Sequence, residues 1–126
     1  MRAVDTNVLI RLIARDNAQQ VKAAEQFIAN GAWVSHLVLA ETVWVLDAVY
    51  ARTAPQIAAA LEMLLDHQTL VLQDADVAAL ALERFRRQPA IGFSDCLVVE
   101  IAWKAGCLPV GTFDRALGAL DGTERL

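Results

Sequence analysis

The spacing of apolar positions changes several times along the chain, and each change marks an element. Met1–Val4 is a short apolar run that stops at Asp5-Thr6-Asn7. From Val8 to Ala14, Leu9, Leu12 and Ile13 recur on one helical face. Asp16-Asn17 offers N-cap residues for a second helix to Ala29, and Asn30-Gly31 a C-cap and turn. Ala32-Trp33-Val34 reads as a short buried strand. Ser35 is placed to cap a helix over His36–Ala51 that is apolar nearly all round, the pattern of a helix buried in a core or against a partner. Pro55 fits the first turn of a helix ending near Asp66. Thr69–Leu72 is a strand, and Asp74 opens a helix that runs through Arg87 and stops at Gln88-Pro89. Ser94 is placed to cap a helix to Ala105, which Gly106 terminates. Leu108–Thr112 is a strand, after which a short helix and an edge strand close the chain.

Helix-length stretches between strands are what parallel pairing requires. The order predicts an α/β fold, one domain over residues 1–126, with a parallel sheet and helices on both faces. In open sheets of this kind ligands bind beyond the carboxyl ends of strands. Asp5 and Asp114 follow the first and last of the predicted main strands directly.

Composition narrows the picture. Hydrophobic residues make up 56% of 126 residues, which excludes a disordered chain. The longest stretch free of charged side chains, Gln26–Ala40, has 15 residues and contains Asn30, Gly31, Ser35 and His36. A membrane-spanning helix needs roughly 18 apolar residues. No apolar stretch of signal-peptide length follows Arg2, so a cytoplasmic protein is expected. Cys96 and Cys107 form no CxxC and read as reduced, half-buried small residues. His36 and His67 match no zinc pattern. With 11 basic and 15 acidic residues the net charge is −4, not that of a strongly basic nucleic-acid binder.

Four of the acids stand apart from charge runs. Besides Asp5 and Asp114, Glu41 interrupts the apolar helix and Asp95 lies in a first helical turn before Cys96-Leu97-Val98-Val99. Singly, each has a bland explanation: a cap, a turn, a favourable helix dipole or an outward-facing side chain. Glu41 resists it most. No Lys or Arg lies three or four residues from it, and an unpaired buried carboxylate costs several kcal/mol. Together, carboxylates in one pocket repel unless a cation compensates, and hard cations such as Mg²⁺ or Mn²⁺ prefer oxygen ligands. Such ions activate water and hold a phosphodiester without help from histidine, cysteine or lysine.

Val4-Asp5-Thr6-Asn7-Val8-Leu9, Leu39-Ala40-Glu41-Thr42-Val43-Trp44-Val45-Leu46, Phe93-Ser94-Asp95-Cys96-Leu97 and Thr112-Phe113-Asp114-Arg115 resemble the motifs of PIN-domain nucleases. Their spacing is most similar to that of the VapC-type toxins of bacterial toxin–antitoxin pairs, over essentially the whole chain. The resemblance implies a three-layer α/β/α fold with a short, mostly parallel central sheet and a protruding helical arm. It implies that Asp5, Glu41, Asp95 and Asp114 form an acidic metal site, with Asp5 and Asp95 foremost as ligands. Thr112 would orient Asp114 or Asp5, and Asn7 and Ser94 would support the pocket. It further implies a Mg²⁺- or Mn²⁺-dependent endoribonuclease acting on RNA such as tRNA or rRNA, a homodimer, and a cognate VapB-like antitoxin covering the site. The helices around residues 36–66 are the expected dimer contact. Many relatives carry another acid shortly before the third one, where this chain has Gly92. That departure leaves one or two ions open.

The basic residues have two readings. Arg84, Arg86 and Arg87 at a helix end suit the dipole or a phosphate-contacting patch, and Arg11 and Arg15 share a helix face and either contribute or are merely solvated. Trp44 and Tyr50 read as core or interface and Trp103 as core, and no aromatic stacking platform for single-stranded RNA is legible. Two other functions stay in play. One is a haloacid-dehalogenase-like phosphatase with an aspartyl nucleophile, although Asn7 replaces its second acid and the only lysines are Lys22 and Lys104. The other is a non-catalytic interaction module. Setting the four acids aside, the remaining charges balance, so the net charge need not repel RNA.

Overall fold

The computed structural model describes residues 1–126, which divide into two compact units, Met1–Ala75 and Asp76–Leu126. In the first, strands β1 (Arg2–Ala3), β2 (Ala32–Val34) and β3 (Leu70–Leu72) pair in parallel in that order, with Ala3 opposite Trp33 and Trp33 opposite Val71. Helices α1 (Thr6–Ala14) and α2 (Ala18–Ile28) connect β1 to β2, and α3 (His36–Ala48) and α4 (Ala54–Asp66) connect β2 to β3. The chain is therefore α/β with a short parallel sheet, as the alternation of strand- and helix-length segments predicts.

Local chemistry sets the helix ends. Asp5, Asn17, Ser35 and Thr53 each accept a hydrogen bond from a backbone N–H in the first turn of α1, α2, α3 and α4, and Thr53 and Gln56 close a capping box. α1 buries Leu9, Ile10 and Leu12 and packs on α2 and α3. α3 buries Leu39, Thr42, Val43 and Leu46, and Thr42 Oγ1 satisfies itself on Val38 O at 2.7 Å. It stops at Ala48, short of the expected Ala51, which has the left-handed φ of 51°. Its other faces are not buried: Leu37 and Trp44, 65% exposed, and Val49 face outward. The strands are also one-sided. Ala32, Val34, Leu70 and Leu72 are buried while Trp33 and Val71 are exposed, so Ala32–Val34 is buried on one face only.

In the second unit, α5 (Ala75–Arg87, entering it at Asp76) precedes a 3₁₀ turn over Pro89–Ile91, then α6 (Phe93–Lys104), β4 (Val110–Thr112), a second 3₁₀ turn (Leu117–Ala119) and β5 (Thr123–Arg125). β4 pairs in parallel with β5 as a separate two-stranded ladder, so Asp5 and Asp114 follow strands of different sheets. Phe85 and Phe93 meet edge to face, their centroids 6.3 Å apart. α6 begins two residues earlier than a cap at Ser94 predicts. Gly92 precedes it at φ 86°, ψ 146°, and Ser94 lies exposed within the first turn rather than capping it. A Cβ at Gly92 would touch nothing within 4 Å, so backbone strain alone resists a side chain there. Gly92→Asp is expected to lose about 1–3 kcal/mol of stability in urea unfolding. An unchanged midpoint would show that the turn relaxes freely.

No helix is long and apolar enough to cross a membrane.

Candidate active site

Asp5 stands just beyond β1, where Val4 N still donates to Trp33 O. Its backbone is extended, and its Oδ1 accepts from Val8 N at 3.2 Å, so the side chain is both a cap and a fixed, exposed carboxylate. Packing of α1 on α3 brings Thr6 to Glu41, and Thr6 Oγ1 donates to Glu41 Oε2 at 2.8 Å. Glu41 is exposed rather than buried among its apolar neighbours. Water and a hydroxyl resolve the desolvation problem that the surrounding sequence poses. Asn7 is exposed beside them.

The second unit holds the other two acids. Asp114 follows β4 in a short rigid turn: its N donates to Thr112 Oγ1 at 3.0 Å, its Oδ2 accepts from Leu117 N at 3.2 Å, and its carbonyl accepts from Gly118 N at 2.9 Å. Asp95 is half-buried in the first turn of α6. A helix N-terminus favours the charged form. Even so, burial first and the charge of Asp114 second raise the proton affinity of Asp95 above that of an ordinary aspartate. No lysine or arginine pairs with Asp5, Glu41, Asp95 or Asp114.

The donors are therefore oxygen-only and lack a resident counter-charge. That chemistry fits a hard divalent cation. The structure gathers no set of three or more His, Cys, Asp or Glu side chains into a formed metal cluster. The charge of Asp114 acts on Asp95, and Thr112 positions Asp114 through its backbone.

The basic residues are engaged elsewhere. Arg11 pairs with Asp16 at 2.6 Å, Arg15 with Glu25 at 2.7 Å and Arg87 with Glu83 at 2.8 Å, while Arg86 is exposed. Tyr50, half-buried, donates to Asp16. Arg84 bonds Glu100, only 6% exposed, and its guanidinium lies 5.6 Å from the ring of Trp103. Trp103 is 50% exposed and forms a lid on Arg84 instead of part of the core. Cys96 is a buried thiol pushed up to about 11, mainly by burial, and Cys107 is exposed rather than half-buried.

Sequence reasoning missed Thr6, although a hydroxyl directly after Asp5 at a helix start was the available signal. It also missed Glu100, which looks like one more residue of an apolar helix until Arg84 is found opposite. No curated protein and no solved structure matches the chain. A family model described as PIN domain matches residues 2–122, spanning both units and all four acids, and the chain belongs to that family.

Proposed function

We propose that the protein is a Mg²⁺- or Mn²⁺-dependent endoribonuclease toxin of the VapC type, with Asp5, Glu41, Asp95 and Asp114 as its acidic site. PIN domains are typically nucleases that act on nucleic acids with divalent metals. The observation that carries the reading is Asp95, half-buried beside a second carboxylate and matched by no positive side chain. Phosphatase chemistry is less well supported: Lys104 Nζ is bound to Asp76 at 3.1 Å and Lys22 is exposed.

When bound, the ion supplies charge neutralisation and a more acidic water. The chain's own residues supply placement. Val8 N holds Asp5, and Thr6 holds Glu41. Thr112 and Leu117 N hold Asp114, so its carboxylate needs little reorganisation. Asp95 is ionised most readily when a positive charge arrives, because burial and Asp114 oppose its charge otherwise.

The test is cleavage of total RNA by purified protein with Mg²⁺, with Mn²⁺ and with chelator. Cuts at defined positions that need the ion and vanish in Asp5→Ala support the proposal. Undiminished cutting by Asp5→Ala overturns it. Thr6→Val leaves Glu41 without its hydroxyl donor and is expected to slow cleavage about 10-fold. A normal rate in Thr6→Val would show that Glu41 needs no such support.

The exposed Leu37 and Trp44 of α3, with Val49 at its C-cap, support the further proposals of a homodimer and a covering antitoxin. Sedimentation at micromolar concentration checks the first, and a monomer counts against it.

A further inference from the structure

Phe113 is the most exposed aromatic residue of the chain, at 81%. Its sequence neighbours are polar on both sides: Thr112, then Asp114 and Arg115, which is also exposed. The backbone around it is not loose. Asp114 N bonds Thr112 Oγ1, Leu117 N bonds Asp114 Oδ2, and Leu126 N bonds Thr112 O at 2.8 Å. A hydrophobic ring is thus held in water on a fixed turn, with a site carboxylate one residue away and an unpaired guanidinium two residues away.

Leaving such a ring solvated sacrifices burial that a core phenylalanine would gain. A ring, a metal-site carboxylate and an arginine in consecutive positions match what a nucleotide presents: a π-face, a reacting phosphate and a neighbouring phosphate. Base stacking on an aromatic face tolerates any base but requires that base to be unstacked from its neighbours. A double-stranded substrate offers no such face.

Resting on the nuclease reading above, we propose that Phe113 and Arg115 form a nucleobase subsite. Phe113 stacks on an unpaired base beside the scissile phosphate, and Arg115 contacts the adjoining phosphate. The aromatic platform that composition conceals is one residue wide.

The experiment measures binding of a short single-stranded RNA containing 2-aminopurine, and of the same strand in a duplex, with Ca²⁺ replacing Mg²⁺. Wild-type protein is expected to quench 2-aminopurine and to favour the single strand by about 10-fold or more. Phe113→Ala is expected to lose the quench and weaken binding about 10-fold, with Phe113→Tyr restoring both. Mn²⁺ affinity is expected to be unchanged in Phe113→Ala, which separates lost stacking from a damaged metal site. Equal binding of the strand by wild type and Phe113→Ala overturns the subsite while leaving the nuclease reading intact. So does an Ala variant that binds RNA normally but self-associates less, since Phe113 is then a protein contact. Wild-type protein that binds neither RNA overturns both readings.

Discussion

Asp95→Asn is expected to reduce RNA cleavage by at least ~100-fold and, in metal-free buffer at pH 7, to raise Tm by about 2–4 °C. The two effects have one cause. Burial and the charge of Asp114 raise the pKa of Asp95 in the folded protein. A carboxyl group with a raised pKa binds more protons folded than unfolded between its unfolded and folded values. Stability therefore falls as pH rises through that window. At pH 7 the charged Asp95 weakens the metal-free fold, and the amide removes that penalty. Below the unfolded value Asp95 is protonated in both states, and the Tm difference should vanish. A divalent ion should raise Tm for wild type and do so much less for Asp95→Asn, because binding to the native state alone is stabilising. Thermal melts at pH 3 and pH 7, with Mn²⁺ added or omitted at pH 7, check all parts. A lower Tm for Asp95→Asn at pH 7 would mean that Asp95 is a structural cap and not a strained ligand.

Arg84→Ala is expected to cost about 3–5 kcal/mol, the largest stability loss of any single change considered. Glu100 is 6% exposed, and its one ion-pair partner is Arg84, whose side chain is 19% exposed. Removing Arg84 leaves a buried carboxylate with no compensating charge. It also strips the cation from the face of Trp103. Removing Glu100 is milder, because the freed guanidinium keeps Trp103 and reaches a cavity of about 340 Å³ lined by Arg84, Arg87, Gln88 and Asp121. Replacing both, as Arg84→Met with Glu100→Leu, should recover most of the loss, since apolar residues of similar size fill such sites without a desolvation cost. Urea unfolding of the three variants measures this. Equal losses in Arg84→Ala and the double variant would show that the ion pair itself is stabilising, and that an uncompensated Glu100 charge is not the cause.

The succession of strands and helices was legible because each element carries its own signal. Asn17, Ser35 and Thr53 cap where N-cap chemistry places them, and Asn30-Gly31 turns the chain, with Gly31 at φ 99°. Burial was less legible. The period of α3 cannot distinguish a helix buried in a core from one with apolar residues facing outward, so Trp44 and Leu37 read as core or partner-facing until neighbours are placed. The α6 boundary moved because the conformation of Gly92, and not the side chain of Ser94, starts that helix. For the site, isolation from charge runs singled out all four acids. Their partners were hidden, since Thr6 and Glu41 are 35 residues apart and meet only when α1 packs on α3. Pairing of β4 with β5 was hidden too, because three-residue strands specify register weakly.

The proposed function requires Asp5 and Asp95 each to contribute to divalent-cation binding. Calorimetric titration of Mn²⁺ into the metal-free protein tests it most directly, on wild type, Asp5→Asn and Asp95→Asn. Saturable binding by wild type, weakened at least ~10-fold in each variant, is the predicted result. Wild-type protein that takes up no Mn²⁺, or variants that bind it as tightly as wild type, would contradict the claim.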